Sequence, residues 1–186
     1  TQEDAVTKPN NLYGEAKLTA ERFVKHYHQQ HGLDYAVVRP SGVYGPGDME
    51  DRVLSKFFSN AMNNRTITVH DGDNKVDFTY IDDICEGVTT IMNEDLQERT
   101  KQKALYKLYN IGNSSPVALT DFIAAIEQAL GTKAIQEMRP MQAGDVASTW
   151  ADVSGLEKDY HYHPNTPVNE GIGHFIAWYK KYYQVS

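Results

Sequence analysis

Between residues 10 and 31 the apolar positions Leu12, Ala16, Ala20, Phe23, Val24 and Tyr27 recur near a 3.6-residue period, and Gly32 follows as a stop. That pattern predicts a helix whose apolar residues Leu12, Phe23 and Tyr27 serve either a core or an interface. The pattern then changes. Residues 34–39 carry the short apolar run Tyr-Ala-Val-Val between turn signals, which reads as a buried strand. Residues 41–50 hold three glycines and a proline and read as a loop. A helix is expected over 51–63, a strand over 66–70, a turn at Asp71-Gly72-Asp73-Asn74, and an extended segment from Val76 to Tyr80. Asp82 or Asp83 is then placed to cap a helix to about residue 94, buried through Ile84, Val88 and Ile91.

The second half repeats this grammar. Leu105 to Ile111 is strand-like, and Thr120 is expected to cap a helix with Phe122, Ile123, Ile126 and Leu130 inward and Gly131 as its end. Residues 138–149 read as loop. Thr166 and Pro167 suit the N-cap and first turn of a last helix that buries Ile172, Phe175, Ile176 and Tyr179. Helices alternating with short strands predict α/β architecture. No repeat, low-complexity tract or long linker interrupts it.

Composition narrows the classes. The chain has 186 residues, 40% hydrophobic and 23% charged, enough for one sizeable core. A net charge of −7 argues against a nucleic-acid surface, and no apolar run reaches membrane-spanning length. Cys85 is the single cysteine, so no internal disulfide forms. That fits a reducing, cytoplasmic setting, with Cys85 as inert packing on the inner side of its helix. The first residue is Thr1, with no signal-like segment before the first helix, which suggests processing or a piece of something longer.

The chemistry centres on Leu12-Tyr-Gly-Glu-Ala-Lys17. Side chains four apart lie one turn apart on the same helix face. An ammonium held beside a phenol favours the phenolate and makes the pair a candidate general acid/base. On spacing alone the same pair is more often a surface contact of about a few tenths of a kcal/mol. Other polar groups read as structural. His161 and His163 lack a third metal ligand, His26, His28 and His31 share no single face, and Asp82 and Asp83 are better caps than a catalytic dyad.

Seven segments in order carry a resemblance. Tyr13-x-x-x-Lys17 is followed by Arg39-Pro-Ser-Gly-Val-Tyr-Gly-Pro46, Asp77-Phe-Thr-Tyr-Ile-Asp-Asp83 and Tyr109-Asn-Ile-Gly-Asn113. Pro140-Met-Gln-Ala-Gly-Asp-Val146, Trp150-Ala-Asp-Val-Ser154 and Trp178-Tyr-Lys-Lys-Tyr-Tyr183 complete the set. Together they resemble the extended short-chain dehydrogenase/reductases of the NAD-dependent epimerase/dehydratase family, most closely the UDP-glucuronate 4-epimerases. The resemblance implies the C-terminal part of a Rossmann-like NAD(P)-binding fold plus the sugar-nucleotide subdomain. Residues 1–45 would end the NAD domain and 46–186 would form mainly the subdomain, with 76–112 returning to the NAD domain. The sequence has no glycine-rich phosphate turn between a strand and a helix. The resemblance therefore puts most of the NAD site, and the family's catalytic Ser/Thr, upstream of Thr1, and this piece alone is expected to be inactive.

It further implies an isomerase in which Tyr13 takes the proton from the sugar 4-hydroxyl as hydride leaves C4 for NAD, with Lys17 on the nicotinamide ribose. Pro40, Ser41 and Val43 would run past the nicotinamide. Gly42 stands where relatives carry Asn or Thr, and a plain turn glycine remains an equal reading. Val69 and His70 match the place where relatives set an aromatic against uracil, although a strand histidine is also an ordinary structural residue. Gln142 and Asp145 fall in the loop that contacts the nucleotide ribose in relatives, or in an exposed loop.

Two departures stand out. Val76 replaces the usual Arg of the diphosphate site, leaving Arg52, Lys56 and Lys75 as candidate cations. The stretch Gly45-Pro-Gly-Asp-Met49 lacks a basic residue that glucuronate epimerases carry there, which puts glucuronate itself in question. A nucleotide-sugar 4,6-dehydratase or UDP-glucuronate decarboxylase keeps the same first step and stays open. So does a non-catalytic UDP-sugar-binding or dimerisation module, because relatives pair as homodimers through the helix that bears Leu12, Phe23 and Tyr27.

Overall fold

The structure, a computed structural model, describes residues 2–70, 74–98, 106–141 and 148–185. Its elements run α1 (Leu12–His31), β1 (Tyr35–Pro40), β2 (Gly42–Tyr44), α2 (Val53–Met62), β3 (Ile67–His70), β4 (Lys75–Val76) and β5 (Phe78–Tyr80). They continue through α3 (Ile81–Glu98), β6 (Tyr106–Ile111), β7 (Val117–Ala118), α4 (Leu119–Leu130), β8 (Gln136–Arg139), α5 (Ser154–Tyr160) and α6 (Val168–Tyr183). Strands pair two by two among the described residues: β1 with β6, β2 with β5 and β3 with β8, all parallel, and β4 antiparallel to β7. Parallel pairs joined through helices give the expected α/β class.

The larger apolar cluster joins α2, α4 and α6 to β2, β3 and β5 through Phe58, Ile67, Phe78, Phe122, Ile123 and Phe175. Phe58 meets Phe175 edge-on at 5.4 Å, and Phe78 lies 4.3 Å from Phe122, geometries that suit the aromatic quadrupole. A smaller cluster packs Ile84 and Ile91 of α3 against Tyr109, Ile111, Leu156 and Tyr160.

The helix α1 buries none of its residues: Leu12, Phe23 and Tyr27 are 81%, 66% and 58% exposed. Its half-buried positions are instead Gly14, Leu18, Glu21 and His28, which share one face at spacings of four, three and seven. On that face Glu21 meets Arg39 of β1 and His28 Nδ1 lies 2.7 Å from the Leu33 carbonyl. Several expectations are corrected. Cys85 is exposed rather than packed. The N-cap of α4 is Ala118, not Thr120, and that of α6 is Pro167. Asp83 lies inside the first turn of α3, and its two oxygens accept the Asn165 and Thr166 backbone N–H groups at 3.2 Å. It anchors the approach to α6 instead of capping its own helix. The expected loop 41–50 contains β2, the loop 138–149 begins inside β8, and β7 and α5 were not foreseen. The turn expected at 71–74 lies outside the described residues except for Asn74.

Glu127 ties the end of α4 to the start of β8. Its buried carboxylate accepts from Lys133 Nζ at 2.6 Å, the Ala134 N–H at 2.9 Å and Gln136 Nε2 at 3.3 Å. The Lys133 bond, backed by the Ala134 N–H and opposed by burial, holds the carboxyl below the usual carboxylate range. A depressed carboxylate stabilises the fold above its unfolded pKa of about 4.3 and loses that contribution as pH falls through its lower native value. Glu127→Gln should therefore be less stable than the parent at pH 7, with the gap closing below about pH 4. Urea midpoints across this range test it, and a gap unchanged down to pH 3 contradicts it.

Candidate active site

The site begins at the N-terminus of α1, where the Asn11 side chain accepts the Gly14 N–H at 2.8 Å and so fixes the first turn. Tyr13 lies in that turn and is 70% exposed. Lys17 Nζ stands 5.4 Å from the centre of its ring, so the i, i+4 pair meets as the spacing requires.

Opposite α1 the chain from β1 to α2 supplies the other wall. A cavity of about 420 Å³ is bounded by Tyr13, Pro40, Ser41, Gly42, Val43, the turn 44–49, Arg52 and Ile81. The structure thus brings Tyr13, Pro40, Ser41, Gly42, Val43 and Arg52 to one hollow, with Lys17 reaching it through the Tyr13 ring. Gly45 makes the tight corner: its φ is +142°, and a Cβ there would stand 2.5 Å from Ile81 Cγ2.

Other candidates lie elsewhere. Lys56 opens on a neighbouring cavity of about 260 Å³ with Tyr179 and Tyr183. Val69 is fully buried in the larger core. His70 is half-buried with Nδ1 3.1 Å from the Pro140 carbonyl, linking β3 to the end of β8. Lys75 is exposed and pairs through its backbone with Ser148 and Thr149. Gln142 and Asp145 lie outside the described residues.

Sequence reasoning missed three features. Asp48 lines the Tyr13 cavity, and burial raises its carboxyl pKa despite hydrogen bonds from Ser55 Oγ at 3.2 Å and the Met49 N–H at 3.0 Å. Only its place beside a turn hinted at this. Gly42 and Val76 are also neighbours: a Cβ on Gly42 would lie 3.0 Å from Val76 Cγ1. Both residues line a second hollow of about 420 Å³ with Arg39, Asn110, Thr149 and Trp150, on the far side of the Pro40-Ser41-Gly42 stretch. Last, Asp77 is fully buried beneath that hollow, its Oδ2 accepting the Ser114 N–H at 3.3 Å and the Ala151 N–H at 3.1 Å. Nothing in the spacing of residues 77, 114 and 151 announces that joint.

A phenol and an ammonium at the mouth of a hollow built from strand ends can move a proton at a bound hydroxyl. Comparison with known proteins agrees with this class of site. The description of the NAD dependent epimerase/dehydratase family matches residues 1–112, and the chain belongs to that family. An uncharacterised 37.6 kDa protein of Escherichia coli O111:H- is 38% identical over 98% of this chain and 58% of its own length. UDP-glucuronate 4-epimerase 1 of Arabidopsis thaliana is 31% identical over 98% of this chain and 45% of its own. Among solved structures, UDP-glucuronic acid 4-epimerase from Bacillus cereus, in complex with UDP-glucuronic acid and NAD, superposes with a TM-score of 0.89 at 26% identity. That likeness covers 98% of this chain and 57% of the other. The chain spans about half the length of the curated relatives it matches. No helix among the described residues is long and apolar enough to cross a membrane.

Gly45→Ala should destabilise the fold by about 1–3 kcal/mol, because a side chain is strained at that φ and collides with Ile81. Equilibrium urea unfolding measures this; a midpoint equal to the parent's would show that the rim yields.

Proposed function

We propose that the intact protein is an NAD-dependent nucleotide-sugar 4-epimerase of the UDP-glucuronate/UDP-galacturonate type, acting in the cytoplasm. The observation that carries the reading is the Tyr13–Lys17 pair at the mouth of the cavity that runs from Pro40 to Arg52. The curated relatives named as UDP-glucuronate 4-epimerases support the substrate class. In this reading α1, β1, β6 and α3 end the NAD domain, and the larger core around α2, α4 and α6 forms the sugar-nucleotide subdomain.

The residues present fit one end of a dinucleotide. Tyr13 and Lys17 offer donors on one wall, while Pro40, Val43 and Ile81 offer apolar surface on the other. Residues outside this chain would hold the dinucleotide's phosphates. When bound, NAD supplies the redox chemistry, taking hydride from the sugar and returning it. The protein's part is to orient and to move protons. Tyr13 takes the proton from the sugar 4-hydroxyl as C4 is oxidised, and gives it back to the opposite configuration after the 4-keto sugar has turned over. Lys17, one turn along the helix from Tyr13, donates to the nicotinamide ribose. Pro40, Ser41 and Val43 form the surface against which the reactants are held at reacting distance. Arg52, the cation on the cavity wall, faces the anionic part of the substrate.

In the intact protein Tyr13→Phe should lower kcat by at least about 10²-fold with KM little changed. NMR of the products from UDP-glucuronate with NAD should show UDP-galacturonate; carbon dioxide release or a keto-deoxy sugar would overturn the epimerase assignment. Near-normal turnover by the Phe variant would remove Tyr13 from the mechanism.

Leu12, Phe23 and Tyr27 stand exposed on α1 in this chain, and pairing as a homodimer through that face is part of the proposal. Sedimentation should give a dimer for the parent and a monomer for Phe23→Glu. A parent that stays monomeric at tens of micromolar counts against it.

A further inference from the structure

The helix that carries Tyr13 and Lys17 has no buried residue, so hydrophobic packing does little to hold it in place. Polar contacts with β1 and with the turn that precedes it hold it there. At the far end His28 meets the Leu33 carbonyl at 2.7 Å and the Tyr35 ring edge-on at 5.3 Å. Toward the cavity, Arg39 Nε and Nη2 donate to the two oxygens of Glu21 at 2.8 and 2.7 Å. This is a bidentate, part-buried pair, with both side chains about one-quarter exposed. Arg39 Nη1 also donates to the Glu3 carbonyl at 3.3 Å, and Glu3 Oε1 accepts the Asn110 N–H at 3.0 Å, so the Arg side chain is braced from the neighbouring strand.

Glu21 lies one turn beyond Lys17, as Lys17 lies one turn beyond Tyr13. The three side chains form one i, i+4, i+8 row. A carboxylate one turn away attracts an ammonium, and Lys17 has one ammonium to share between Tyr13 and Glu21. We propose that the Arg39–Glu21 pair positions the catalytic unit: it seats α1 on β1 beside the cavity and occupies the Glu21 carboxylate, leaving Lys17 to Tyr13. Arg39 sits directly before Pro40-Ser41-Gly42, so the same pair fixes the distance between the phenol and the opposite wall. Arg39 and Glu21 are positioning residues and touch no reacting atom. Lysine at position 39 could keep the charge but not the two parallel bonds.

The inference rests on reading Tyr13 and Lys17 as one acid/base unit, and its test needs neither substrate nor NAD. A protein that folds as described but never epimerises would overturn the function and leave the contact measurement standing. In the isotope-labelled 186-residue chain, the nuclear Overhauser contact between the Lys17 ε-methylene and the Tyr13 ring should be present. It should fall by at least about half in Arg39→Met, where Glu21 is released, and recover in Arg39→Met/Glu21→Gln, where no carboxylate competes. Contact at full intensity in Arg39→Met overturns the proposal. So does a folded double variant in which the contact stays lost, because the pair would then be a structural clamp alone. Should Arg39→Met fail to fold, Arg39→Lys carries the test: a weakened contact supports the proposal, and full intensity overturns it.

Discussion

At Ser41 the chain changes partners, and the site depends on that change. Residues 35–40 run parallel to β6, while residues 42–44 run parallel to β5. Ser41 itself still donates its N–H to the Ile111 carbonyl at 2.9 Å. One extended path therefore belongs to two separate ladders, and hollows open on both sides of the Pro40-Ser41-Gly42 stretch. Strand ends at a point where sheet order switches are where open α/β folds place ligands, because backbone groups there are freed from one ladder before they join the next. Asp77 secures the junction from beneath by accepting N–H groups from Ser114 and Ala151. Both bonds fall on Oδ2, while the buried Oδ1 has no hydrogen-bond partner among the described residues, so a carboxylate buried there rests on these two donors.

The two walls of the Tyr13 cavity are stabilised in different ways. The β2–β5 side is backed by the large aromatic core, where Tyr44 packs on Phe78, Tyr80 and Phe122. The α1 side has no such support and stands on an ion pair, a histidine contact and an N-cap. A rigid wall facing a polar-anchored one gives a site whose acid/base group is set by a few directed bonds. Such bonds are sensitive to single substitutions in a way that dispersed apolar contacts are not.

Gly42 and Val76 stand against each other on the wall of one hollow, and no cation stands at position 76. Of the three cations considered from the sequence, Arg52 lines the Tyr13 cavity, Lys56 lines another, and Lys75 sits on a strand edge.

Long amphipathic periods made α2, α3, α4 and α6 legible, because spacing within a helix is a local property that burial then reinforces. The Tyr13–Lys17 contact was legible for the same reason: four residues of helix bring two side chains together whatever surrounds them. The short strands β2 and β7 were not, since each is defined by a partner far away in the chain, and the seven-residue α5 is too short for a period to show. Periodicity also found the apolar stripe on α1 but could not say whether it faces a core or an interface; in this chain Leu12, Phe23 and Tyr27 stand exposed, while Glu21 of the same helix faces Arg39 of β1. Spacing alone determined which groups sit one turn apart; the pairing of residues 35–44 with 78–80 and 106–111 decided what those groups face, since such contacts depend on energies summed over distant segments.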